Sequence, residues 1–208
     1  FYKYKNKEII HHSVEKALDS KLFKKLIIVT NNFNYFKKRK YSKNISIIKG
    51  GKDRSDSSLK ALKYIKKYKP LNVFIHDAAR PNFSIKLLKN ISKNLKKNNA
   101  VVPIVSSVDS IKYKVNNQIF NLDRNNSILT QTPQAFKFKK LYNIAIKEKT
   151  KVSDEATLFI NNNYKVKFIS GENKNNKITY LNDIENSKTY FGIGFDIHKL
   201  IKDKKLYL

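Results

Sequence analysis

Apolar positions along the chain follow two alternating patterns. Residues 9–18 place Ile10, Val14 and Leu18 four apart, one face of a helix, and the β-rich run Leu26-Ile27-Ile28-Val29 follows. Residues 45–48 form a short strand ending at Gly50-Gly51. Residues 57–68 predict a helix through Leu59, Leu62 and Ile65, residues 72–76 a buried strand, residues 85–95 a helix and residues 100–105 a further apolar strand. Helices set between short apolar strands imply an α/β sheet, mainly parallel.

The alternation breaks after that strand. Residues 111–115 and 118–122 flank Asn116-Asn117, a tight hairpin because Asn tolerates positive φ, and a hairpin inserted here projects as an arm. A strand at 128–131, helices at 138–147 and 154–161 and a strand at 165–169 come next. The polar loop 172–176 leads to Lys177-Ile178-Thr179, and a last helix covers 182–188. Phe191-Gly192-Ile193-Gly194-Phe195 then starts something new, and no internal repeat is visible.

Composition narrows the function classes. The 208 residues, 40% hydrophobic, are enough for one domain with a core, or a domain plus a stub. The absence of Cys removes disulfides, thiolate metal sites and Cys nucleophiles, and suits a reducing compartment; a cytoplasmic location is expected. No apolar run approaches the ~18 residues of a membrane span, and the basic start lacks the apolar stretch of a signal peptide. Met is absent and the chain begins Phe1-Tyr2, so a fragment of a longer protein is expected.

Charge changes the picture less than its size suggests. The balance of 44 Lys+Arg against 16 Asp+Glu gives +28, which normally points to nucleic acid. Only four of the basic residues are Arg (Arg39, Arg54, Arg80 and Arg124), whereas nucleic-acid recognition favours the Arg fork. The lysines are spread along the whole chain among Asn, Ile and Tyr. A solvated Lys-rich surface explains this better than a nucleic-acid footprint. Where Lys and Asn fill the permissive positions, the scarce Gly, Pro and Arg mark places that could not drift.

Four stretches carry candidate chemistry. Gly50-Gly51-Lys52-Asp53-Arg54-Ser55-Asp56-Ser57 runs from a strand end into a helix; its glycines allow close backbone approach, and Ser57 lies near free N–H groups that suit an anion. Alone, it reads as a Gly turn with a capped helix. His76-Asp77-Ala78-Ala79-Arg80-Pro81 follows a strand, where ligands bind in open α/β sheets. Asp77 can hold Mg²⁺, the alanines leave room for a base or sugar, and Arg80 can grip a phosphate. A salt-bridged loop is the alternative, and His76 alone reads as structural.

The third group collects Asp109-Ser110-Ile111-Lys112, Leu122-Asp123-Arg124, Gln131-Thr132-Pro133-Gln134-Ala135-Phe136, Ser153-Asp154-Glu155-Ala156 and Asn176-Lys177-Ile178-Thr179. Ser110, Thr132 and Ser153 offer hydroxyls, and Arg124 and Lys177 offer cations for phosphate; any one of these segments alone reads as a cap or a solvated surface. The fourth stretch is Gly192-Ile193-Gly194-Phe195-Asp196-Ile197-His198. Asp196 and His198, two apart on a strand, share a face as two ligands of one divalent metal would, although Asp-x-His also arises by chance.

In this order, the motifs of residues 1–189 resemble the 2-C-methyl-D-erythritol 4-phosphate cytidylyltransferase family. The tail from residue 190 to 208 resembles the opening of 2-C-methyl-D-erythritol 2,4-cyclodiphosphate synthase, a lyase fused after the first enzyme in some bacteria. The resemblance implies a Rossmann-like nucleotidyltransferase with a mainly parallel, mixed sheet and a β-hairpin arm. It implies transfer of a cytidylyl group from CTP to methylerythritol phosphate with Mg²⁺, releasing pyrophosphate, in non-mevalonate isoprenoid precursor synthesis. Gly51, Ser57, Asp77 and Arg80 then belong to the nucleotide and metal side. Ser110, Arg124, Thr132, Ser153 and Lys177 hold the methylerythritol phosphate, and Arg124 and Lys177 are the catalytic pair.

Ser110 and Ser153 stand where the family usually has Thr, which keeps the hydroxyl, and Lys52 stands where an acidic residue is often found. The family's first strand and its Gly-rich loop bearing Arg and Lys precede Phe1, so the chain as it stands is expected to be inactive. A homodimer joined through the arm is implied, as is Zn²⁺ or another divalent metal on Asp196 and His198 in the cyclase part. The competing readings are a cytidylyltransferase for another polyol phosphate, such as ribitol 5-phosphate, and a basic nucleic-acid-binding module.

Overall fold

The fold is that of a computed structural model, which describes residues 2–39, 41–148 and 150–185. A small hairpin, β1 (Lys3–Tyr4) and β2 (Lys7–Glu8), turns through Lys5 and Asn6, both at positive φ, and leads into α1 (Ile9–Asp19). Strand β3 (Leu26–Thr30), the short helix α2 (Phe33–Lys37) and β4 (Ile45–Lys49) follow, with β3 and β4 pairing in parallel as a two-stranded sheet. Helix α3 (Arg54–Ile65) starts three residues before Ser57, because the Asp53 side chain accepts from Asp56 N–H at 2.9 Å and caps it. A start at Ser57, read from the stripe alone, is therefore late.

The main sheet has five strands. Strand β5 (Asn72–Ile75) leads to α4 (Ile85–Leu95), whose N-cap is Ser84, and then to β6 (Ala100–Ser106). The arm is β7 (Ile111–Val115) and β8 (Gln118–Leu122), joined by Asn116 and Asn117 at φ 46° and 65°. After it come β9 (Ile128–Thr130), β10 (Gln134–Lys137), α5 (Phe138–Ala145), α6 (Glu155–Asn161), β11 (Lys167–Ser170) and α7 (Asn182–Glu185). The order is β11-β6-β10-β5, with β9 also paired to β6. The strands of the alternating region, β5, β6 and β11, all point the same way, as expected. Strand β10 runs antiparallel between β5 and β6, so most neighbours in this sheet are antiparallel and the sheet is mixed.

Side-chain alternation along the central strands divides the core in two. Ala100 and Phe136 face α3, α5 and α6 through Leu62, Leu141, Leu158 and Phe159. Val101 and Ala135 face α4 through Leu87, Leu88 and Ile91, with Phe83 beside them. Helices on both faces leave the carboxyl ends of β5 and β6 as the place where loops converge. Among the described residues no helix is long and apolar enough to cross a membrane.

Candidate active site

Two capped helices and one strand end meet at Asp77. Asp53 caps α3, which makes Arg54 its first residue; Asp154 caps α6, accepting from Thr157 N–H at 2.9 Å, which makes Glu155 the first residue there. The two first residues form a forked pair. Arg54 Nη1 donates to Glu155 Oε1 at 3.0 Å and Nη2 to Oε2 at 2.7 Å. Arg54 Nε also lies 3.5 Å from Asp77 Oδ1, directly after β5. Burial by itself lowers the Arg54 pKa, but Glu155 and Asp77 outweigh it and raise the value. On the other side, Lys177 Nζ stands 3.7 Å from Asp77 Oδ2.

Lys177 is brought there by its neighbours. Ile178 N–H donates to Ala79 O at 2.8 Å, and Arg80 Nη1 donates to Asn175 O at 2.9 Å, so segment 175–178 is fastened to the loop carrying Asp77. Arg80 Nη2 reaches Thr130 O at 3.4 Å. The Arg80 guanidinium thus holds backbone carbonyls together, and burial lowers its pKa.

Thr132 also points inward. It is 4% exposed, and its Oγ1 accepts from Asp77 N–H at 3.0 Å while lying 3.0 Å from His76 Nδ1. The other His76 nitrogen lies 3.2 Å from Ser13 Oγ on α1, and the ring packs edge-on against Phe83. Burial pushes the His76 pKa down to about 4, so the imidazole is neutral and structural. Thr132 and His76 together hold the backbone of Asp77.

Ser57 Oγ accepts from Gly51 N–H at 2.9 Å. A Cβ on Gly51 would collide with the Asp56 carboxylate, which folds back to accept from Lys52 N–H. The residues expected on the nucleotide side therefore build a tight Gly turn at the head of α3. Ser153, exposed, contacts Thr157 Oγ1 at 3.3 Å. Asp154 is half-buried, which raises its pKa, yet hydrogen bonds from Gln134, Thr157 and Thr130 keep the value below the usual carboxylate range.

Ser110 and Arg124 sit apart, on the arm. Ser110 accepts from Lys112 Nζ at 3.0 Å, and Arg124 Nη1 donates to Val108 O at 3.2 Å. Among the described residues neither touches Asp77 or Lys177. Asp196 and His198 lie outside the described residues.

As for a metal, no group of three His, Cys, Asp or Glu side chains converges among the described residues. Asp77 alone is a single hard-oxygen donor. Such a donor fits Mg²⁺ when phosphate oxygens and water complete the shell, as is usual for that ion.

Reading the motifs gave Arg54 and Glu155 no role. The signal available was the use of Arg in a chain that otherwise prefers Lys: among the described residues Arg39, Arg54 and Arg80 each donate through more than one nitrogen to more than one group.

The family model of 2-C-methyl-D-erythritol 4-phosphate cytidylyltransferase matches residues 1–192. The chain belongs to that family. It is 33% identical over 195 residues to the 2-C-methyl-D-erythritol 4-phosphate cytidylyltransferase of Thermosipho africanus, covering 88% of this chain and 85% of that protein. It is 47% identical to the bifunctional enzyme IspD/IspF of Pelagibacter ubique, covering 99% of this chain but 56% of that protein, so the chain spans little more than half the length of this relative. Among solved structures, the 4-diphosphocytidyl-2C-methyl-D-erythritol synthase of Anaerococcus prevotii superposes with a TM-score of 0.80 at 28% identity, covering 89% of this chain and 86% of that one. The mixed α/β sheet of this cytidylyltransferase family member is thus that of its solved relatives.

Proposed function

We propose that the protein carrying this chain transfers a cytidylyl group from CTP to 2-C-methyl-D-erythritol 4-phosphate and releases pyrophosphate. The observation that carries this is the meeting of Asp77 and Lys177, from separate motifs, at the carboxyl end of β5. A carboxylate for a metal–nucleotide complex and a half-exposed cation for a phosphate, side by side, suit attack by one phosphate on another. Asp77 would hold Mg²⁺, which neutralises charge on the phosphates when bound. Lys177 orients the attacking phosphate, and Arg124 is read as the second cation for it.

The arm explains why Ser110 and Arg124 stand apart. The register pairs Ile111 with Leu122, Tyr113 with Phe120 and Val115 with Gln118, so one face of the arm is almost wholly apolar. Its rings stack at 5.2 Å, and Ile111 apart its apolar residues are exposed. We read this face as the contact with a second copy, whose site would receive Ser110 and Arg124. A monomer at micromolar concentration by light scattering, in the full-length protein, counts against it.

Segment 190–208 is read as the start of a cyclodiphosphate synthase domain, supported by the identity with the bifunctional Pelagibacter enzyme. Asp196 and His198 would then be two ligands of Zn²⁺ or a similar ion in that domain.

Pyrophosphate release by the full-length protein from CTP, with methylerythritol phosphate and ribitol 5-phosphate as separate acceptors, tests the reading. Turnover with the first is expected. Turnover with ribitol 5-phosphate alone, or salt-sensitive nucleic-acid binding without turnover, replaces it.

A further inference from the structure

We propose that Arg54 and Glu155 are a positioning pair that fixes the rotamer of the Asp77 carboxylate; this rests on the reading of Asp77 as the metal and nucleotide residue. A cation in the first turn of a helix is opposed by the helix dipole, so local preference does not explain Arg54 at the head of α3. Its partners do. The terminal nitrogens are taken by Glu155, which is 2% exposed and has no other hydrogen-bond partner among the described residues, and Nε remains for Asp77 Oδ1. One planar group thus links two carboxylates on separate elements. A lysine, with a single ammonium, cannot span both in fixed geometry.

The backbone of Asp77 is held independently by Thr132. What remains free is rotation of the side chain, and Arg54 restrains it from the Oδ1 side. Lys177 faces Oδ2 across 3.7 Å and is half exposed, so that oxygen is the one whose partner can be exchanged for a ligand. Glu155 makes the arrangement stable, because it locks the guanidinium before any ligand arrives.

The test uses Arg54→Lys and Glu155→Gln in the full-length protein. A crystal structure of Arg54→Lys is expected to show the Asp77 carboxylate rotated or in two conformers, with its N–H still bonded to Thr132. An unmoved carboxylate overturns the proposal. In turnover, kcat is expected to fall about tenfold or more while KM for CTP changes less than about threefold. Arg54→Lys should add no further loss in an Asp77→Asn background. An equal loss in that background, or a lowered melting temperature with unchanged kcat, shows a merely structural pair. If the wild-type protein transfers no cytidylyl group, the functional reading fails, and the carboxylate position in the crystal decides the positioning role by itself.

Discussion

The Asp77 corner and the hairpin arm carry residues assigned to one site, and they are built in opposite ways. At the corner, the charged groups are held by other groups of the same chain: Asp77 by Thr132, Arg54 and Lys177, and the terminal nitrogens of Arg80 by two carbonyls. On the arm, Ser110 and Arg124 have only local contacts, and the rings of Tyr113 and Phe120 are open to solvent. The corner is organised before a ligand arrives. The arm, by contrast, leaves an apolar face open to solvent. Substitutions should therefore act on folding at the corner and on assembly at the arm.

The largest effect is expected from Glu155→Leu, which leaves Arg54 without its forked partner. A loss of about 3 kcal/mol is expected, the low end for a broken buried pair because Arg54 is one-third exposed. Thermal melting should fall by roughly 6–12 °C, and the double change with Arg54→Leu should recover much of it. Arg124→Leu on the arm should stay within about 0.5 kcal/mol. Equal losses at the two places would erase the contrast.

Acid should expose the corner next. The folded His76 titrates near 4 and the unfolded one near 6.5. Below pH 6.5 the unfolded chain takes up a proton that the folded chain refuses, so stability is full above 6.5 and lost as pH falls towards 4, by up to about 3 kcal/mol. Urea midpoints at pH 7 and pH 4.5 should differ, and His76→Gln should flatten the difference. A slope unchanged in that variant rejects the assignment.

A smaller effect belongs to Thr132→Val, which keeps the shape but removes the Thr132 partner of Asp77 N–H and of His76 Nδ1, at about 1–3 kcal/mol in chemical denaturation. Smaller again for the single chain is Tyr113→Ser with Phe120→Ser, about 1 kcal/mol or less for an exposed cross-strand pair. The same double change should turn a dimer into a monomer by light scattering. A dimer that survives it is not held by this face.

Most elements were legible because their signals are local. The arm's register followed from Asn116-Asn117, and α4 was read over 85–95 as it stands. Strand β10 was not, since Gln134-Ala135-Phe136-Lys137 has no alternation strong enough to mark a strand, and it is a strand only because β5 and β6 flank it. The site divides along the same line. Asp77 and Lys177 were legible as motif residues, and their contact joins them. The inward turn of Thr132, the backbone tether of Arg80 and the Arg54–Glu155 fork depend on residues far apart in the chain, which no spacing rule connects.

The reversed strand β10 has a consequence for the order of assembly. It is the shared neighbour of β5 and β6, so until residues 134–137 have been synthesised those two strands have no edge in common. Thr132, which holds Asp77, arrives just ahead of them. The nascent chain therefore carries β5 apart from β6 and its α4 packing, and closure of the sheet and completion of the Asp77 corner come together as a late, long-range event. Slow synthesis between residues 106 and 134 would prolong exposure of the apolar faces of β5 and β6, which makes that interval the one most open to misfolding.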